Sequence, residues 1–182
     1  MKKVIAVTCL LACAPTAVFA QAGSIGLFRD SHGESNHLAD NSTTVGVVEF
    51  HVVHVGASAV SACAFSAPAP NCLAATYLGD TPLFAVTIGS SQSPTGVSIG
   101  YSGCLSAPVH VLSIRFFSQG LTGNCCVFPI EKIVTSGRVE VVDCSSNLHE
   151  ANAIPGVVNA TGNCDTGYKE STWGRVKASF GE

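Results

Sequence analysis

Methionine and tryptophan occur once each in 182 residues, and charged side chains make up only 12% of them. That leaves little material for long helices with a solvated face, or for a flexible Met-lined groove. Basic charge is scarcer still. With Lys2 and Lys3 assigned to an N-terminal leader, seven Lys or Arg remain against twelve Asp or Glu. No basic stripe able to track phosphates is present, which argues against nucleic-acid binding. Beyond the leader no apolar run reaches the ~18 residues that a membrane-spanning helix needs. Gly-rich phosphate loops, a dinucleotide fingerprint and paired CxxC knuckles are all missing, so neither a nucleotide cofactor nor a zinc knuckle is implied. The nucleophile elbow G-x-S-x-G fails as well, because Gly89-Ser90-Ser91-Gln92-Ser93 lacks the last glycine.

What remains is 47% apolar residues and 18 glycines, a composition that suits one compact β-rich domain with many turns. The N-terminus carries the most specific signal. Met1-Lys2-Lys3 is a short positive segment, residues 4–13 are apolar, and Val18-Phe19-Ala20 places small residues before Gln21. This predicts a signal peptide over 1–20, export, and a single domain over 21–182. A second reading makes Leu10-Leu11-Ala12-Cys13 a lipobox, with Cys13 lipidated and the protein held on a membrane.

Export decides how the cysteines are read. Cys63, Cys72, Cys104, Cys125, Cys126, Cys144 and Cys164 predict about three disulfide bridges with one residue left over. The preferred pairings are Cys72 with Cys104, and one of the vicinal pair with Cys144, each stapling loops at strand ends. A left-over thiol is also a route to an intersubunit bridge.

Strand signals dominate the rest. Residues 82–118 read as three successive strands, over 83–88, 96–101 and 109–117, needing a second sheet to cover their apolar face. In the last, alternation places His110, Leu112, Ile114 and Phe116 on the core face and Val109, Val111, Ser113, Arg115 and Phe117 on the other. Residues 24–28 suit an edge strand, and 44–55, 59–65 and 74–80 suit further strands. Residues 125–134 form a strand interrupted or set on an edge by Pro129, residues 139–142 another, and 156–160 a short one. The segment 145–166 is otherwise polar. His51 and His54 form an HxxH pair, but an odd spacing on a strand sends them to opposite faces, so together they do not chelate a metal. Glu49 lies beside His51 as a surface pair. The loop 29–44 is rich in oxygen ligands yet does not match a calcium loop. Asn41-Ser42-Thr43 and Asn159-Ala160-Thr161 match the N-glycosylation pattern. Near the C-terminus Trp173, Val176 and Phe180 recur at helical spacing after Ser171, predicting a short helix over 172–180 whose stripe docks on the domain or is presented to a partner.

The order VVEFHVVHVG, VSACAFSAP, FAVTIGSSQSPTGVSIGYSGC and VHVLSIRFF resembles cohesin-type and, more broadly, immunoglobulin-like or jelly-roll-like domains. That resemblance covers residues 44–117 and implies an all-β, two-sheet antiparallel sandwich of about eight or nine strands. The cysteines depart from the cohesin pattern, and no binding residue is carried over. With VEVVDC and STWGRVKASF included, the whole chain is also similar to uncharacterised secreted β-sandwich proteins of environmental bacteria. The expectation is therefore a non-enzymatic exported module, secreted or periplasmic, that binds a protein or glycan at the cell surface. It has no catalytic, cofactor or metal residues, no nucleic-acid partner and no transmembrane helix, and Trp173 and Phe180 are its interaction candidates. The rivals are a secreted glycan hydrolase, with Glu49, Glu131 and Glu140 as carboxylate candidates, and a structural subunit of an extracellular assembly.

Overall fold

Alternation of apolar and polar residues generates β1 (Ser24–Phe28), β2 (His37–Leu38), β3 (Gly46–Val55), β4 (Val60–Phe65), β5 (Ala75–Pro82), β6 (Val86–Gly89) and β7 (Val97–Leu105). They are followed by β8 (Val109–Ser118), β9 (Cys126–Phe128), β10 (Glu140–Asp143), β11 (Leu148–Glu150), β12 (Asn152–Ile154) and β13 (Gly156–Val158). The structure is a computed structural model that describes residues 22–40, 44–161 and 164. The expected leader with Cys13, and the expected helix with Trp173 and Phe180, lie outside the described residues. Among the described residues all regular structure is strand or bridge, and no helix is long and apolar enough to cross a membrane.

The strands form a first sheet in the order β12-β1-β3-β8-β5 and a second in the order β11-β10-β4-β7-β6. A small third sheet runs β2-β13-β9. Ile25, Leu27, Phe50, Val52, Ile114 and Phe116 from the first sheet meet Cys63, Phe65, Ile99, Tyr101 and Val141 from the second in one buried cluster. Two sheets sharing one apolar layer make a sandwich, driven by removal of both inner faces from water. The third sheet adds Leu38, Cys126, Phe128 and Val158 to the same core. Phe50, Phe116 and Phe128 close a ring triangle with centroids 5.6 to 5.9 Å apart.

Several expectations change. The stretch 82–118 is not one three-stranded unit: β6 and β7 belong to the second sheet, and β8 crosses to the first after Ala107–Pro108. The first strand is not an edge, because β12 pairs with β1 in parallel outside it. The pairing is mixed, since β2 and β13 are also parallel. The cause lies in the segment 145–166, read as polar apart from the short strand over 156–160 that appears here as β13. Single residues, Ala151 and Pro155, separate β11, β12 and β13, so the chain steps from the second sheet to the first and then to the third. Strands of three residues are too short for periodicity to show in sequence.

A β-bulge moves His110. Val52 pairs with Leu112 while Val53 pairs with His110, so Val111 is the extra residue. It turns inward with Val109 and Leu112, and His110 is rotated to the outer face beside Ser113. The core-facing register expected for His110 is therefore corrected. His51 and His54 do leave opposite faces of β3. His54 is buried in the core, where its Nε2 donates to the Ala22 carbonyl at 2.6 Å and its Nδ1 accepts from the Tyr101 hydroxyl at 3.0 Å.

The bridges are Cys72–Cys126, Cys104–Cys144 and Cys125–Cys164, with Cys63 free and buried. Both preferred pairings are overturned, and register explains why. Leu105 and Asp143 both pair with Val60 at the start of β4, which brings Cys104 and Cys144 together on either side of that strand. Cys72 lies beyond the opposite end of β4, out of reach of Cys104. The vicinal residues part because Cys125 adopts φ 60° at an exposed turn while Cys126 enters β9 and is buried.

Candidate binding surface

The outer face of the second sheet is built from two rows of cross-strand neighbours. One runs Leu148, Val142, Ala62, Gly100, Val86, and the next runs Glu150, Glu140, Ala64, Ser98, Ile88. The residues between them along β10, β4 and β7, Val141, Cys63 and Ile99, point inward and are buried, so both rows face out. Side-chain size does the rest. Small residues occupy the two middle strands and aliphatic ones the flanks, leaving a trough of about 200 Å³ lined by Ala62, Ala64, Ser98, Gly100, Val86, Ile88, Val142 and Leu148. Gly100 is part of its shape: a Cβ there would come within 3.3 Å of the Val86 side chain.

The walls are unusually apolar for a surface. Val86, Ile88 and Leu148 are 63%, 72% and 50% exposed. Charge enters only at one end, where Glu140 pairs across the ladder with Glu150 and Lys132 Nζ lies 3.0 Å from the Glu150 carboxylate. That exposed ion pair contributes little to stability.

Two features hold the trough in place. The Cys104–Cys144 bridge clamps the strands on either side of β4. At the other margin, the loop after β6 is latched to β5: the Asp80 carboxylate accepts from the Ser91 amide and hydroxyl, both at 2.7 Å, and from Ser90 Oγ at 3.2 Å. Ser90 and Ser91, the residues of the failed nucleophile elbow, thus serve as structural donors. Gln92 extends the latch, accepting from the Ala69 amide and donating to the Ala67 carbonyl, each at 2.8 Å. Gly96, at φ 74°, returns the chain into β7, and a Cβ there would strike the Phe65 carbonyl. β6 itself is an edge strand of sequence VTIG, without the charge or proline that usually blunts such edges.

The other residues singled out by sequence are dispersed. Glu49 and Glu140 lie on opposite outer faces of the sandwich, and Glu131 sits in a bridge with Ser66 outside both. The carboxylate candidates therefore do not converge. Asn159, in the glycosylation pattern, spends its side-chain amide on Asp40 at 2.8 Å and the Thr122 carbonyl at 2.9 Å. Asn41 lies outside the described residues. Cys63 shares a hydrogen bond with Tyr101, and burial pushes its thiol up to about 12. The trough residues were not singled out from sequence, though a signal existed: Ala62 and Ala64, like Ser98 and Gly100, put small residues at alternate positions of adjacent strands. Among the described residues no three His, Cys, Asp or Glu side chains form a ready metal cage.

The solved structure of a non-cellulosomal cohesin from the hyperthermophilic archaeon Archaeoglobus fulgidus is similar to this chain. It is 14% identical, with a TM-score of 0.45, over 76% of this chain and 90% of that one. No protein-family model and no curated protein matches the chain.

Proposed function

We propose that this chain is an exported, non-enzymatic binding module that takes an extended segment of a protein partner against its second sheet. The observation that carries the reading is the apolar trough beside an open edge strand. Backbone groups of β6 offer a ladder to an incoming strand, and the trough accepts alternate aliphatic side chains. Its volume falls below the roughly 300–1,000 Å³ of small-molecule pockets, which favours a few side chains over a whole ligand. A glycan platform is less well supported, because the walls are aliphatic and no aromatic ring lines them. The leader and the three bridges support an oxidising compartment outside the cytoplasm. Trp173 and Phe180 are a second contact in this reading, presented to the same partner.

The test is selection of peptides from a displayed random library on the full chain, followed by binding to variants. Ala62→Arg places a long charged side chain across the trough floor and is expected to weaken selected peptides more than tenfold. Thr81→Arg, on the first sheet, leaves them unchanged. Equal binding to both variants overturns the assignment, and concentration-dependent self-association lost in Ala62→Arg would make the occupant a second copy of this chain.

A further inference from the structure

The outer face of the first sheet carries a cluster that the binding reading does not use. His51 and Ser113 are cross-strand partners on β3 and β8, and the bulge at Val111 delivers His110 to the same spot. His51 Nδ1 lies 3.2 Å from His110 Nε2 and 3.1 Å from Ser113 Oγ, and Ser113 Oγ lies 3.2 Å from His110 Nε2. The imidazole planes cross at 77° instead of stacking. Glu49 Oε1 stands 4.0 Å from the same His51 Nδ1.

As a hydrogen-bonded triangle this arrangement fills at most two of its three edges. Neutral imidazoles bring one proton each, and any proton between two ring nitrogens leaves another edge of the triangle without one. As a nucleophilic triad it also fails, because hydroxyl and carboxylate both address Nδ1, whereas a relay needs the two different ring nitrogens. Ser113 is moreover only 2% exposed, out of reach of a substrate. As a metal site the spacing is natural: ligands about 2.0–2.1 Å from a tetrahedral ion stand about 3.3–3.4 Å from one another.

We propose that His51 and His110, with the Ser113 hydroxyl between them, form a site for one divalent transition-metal ion of the zinc and copper class. Imidazole nitrogen selects this class over magnesium and calcium, which prefer oxygen. Two strong ligands and a hydroxyl leave positions open to water, and Glu49 at the rim adds negative charge. Arg115, the cross-strand partner of Glu49, adds positive charge nearby, and the exposed His32 stands close to His110. Sequence alone hides the site, since the HxxH spacing offers His54 as the partner of His51 and the bulge supplies His110 instead.

The experiment is calorimetric titration of the untagged full chain with Zn²⁺ and with Cu²⁺ at pH 7.5 and pH 5.5. One ion per chain is expected, with affinity at least tenfold lower at pH 5.5, where protons compete. His51→Gln and His110→Gln each weaken binding at least tenfold, while His37→Gln, on β2, leaves it unchanged. Because a variant can lose its fold, Cu²⁺ is also added to the wild-type chain and the histidine ring resonances are followed by NMR. Broadening that starts at His51 and His110 supports the site. Broadening that starts at His37 or His149, or affinity within twofold of wild type in both Gln variants, overturns it.

Discussion

On the outer face of the second sheet the central strands carry Ala62, Ala64, Ser98 and Gly100. On the outer face of the first sheet the corresponding rows hold Glu49 beside Arg115 and His51 beside Ser113. Both faces follow from the same alternation over the same core, yet one is an apolar trough, and the other sets these polar pairs between the exposed Val47 and Phe117 and the apolar cluster of Phe28, Val53 and Ile154. The difference lies in side-chain size and charge at outward positions of the middle strands, which the hydrophobic pattern does not dictate. The edges differ in the same sense. β6 is short and uncharged, whereas β5 carries a bulge between Tyr77 and Gly79, and β12 covers the far side of the first sheet. Of these edges, β6 is the one that lies beside the trough.

The difference between the two faces disappears if the shared core is removed. Phe116→Ala takes a fully buried ring from between Phe50, Tyr77 and Phe128 and is expected to cost about 3–5 kcal/mol, read by urea unfolding. Both faces should be lost together, and a loss confined to one would mean that the sheets fold separately. A sharper cut is Cys104→Ala with Cys144→Ala. Removing that bridge is expected to cost about 2–4 kcal/mol. Amide exchange should accelerate first in β4, β7 and β10, with β3 and β8 protected, because no bridge lies within the first sheet.

The smallest effect separates an inner histidine from an outer one. Burial lowers the pKa of His54 from 6.5, opposed by its bond to the Ala22 carbonyl, and burial with His51 lowers that of His110. The unfolded chain binds these protons more readily than the folded one. Their contribution to stability is therefore fully present above pH 6.5 and is lost as pH falls through the folded pKa values. The melting temperature should drop from pH 7 to pH 5. His54→Gln should flatten that slope more than His110→Gln, since only His54 lies in the core. Equal slopes in all three proteins would assign the pH dependence to other groups.

Much of the strand content was legible. The Val-rich run before Gly56 and the run VHVLSIRFFS announce β3 and β8, because Val, Ile and Phe dominate their apolar positions and favour an extended, pleated backbone. The opposite fates of His51 and His54 follow from the period of two. The one-residue steps between β11, β12 and β13 were not legible, and neither was the bulge that turns His110 outward. A bulge shifts register by one residue without leaving a mark in composition.

From its residues alone this chain is an all-β domain with an acidic balance, a leader-like start and an odd number of cysteines. Those properties depend on local sequence and on counting. Which cysteine meets which, which strands share a sheet, and which outward side chains stand together were decided by tertiary structure. Each of them depends on the pairing of segments far apart in the chain. Cys104 meets Cys144 only because both flank the start of β4, and His51 meets His110 only because β3 and β8 pair with one residue to spare.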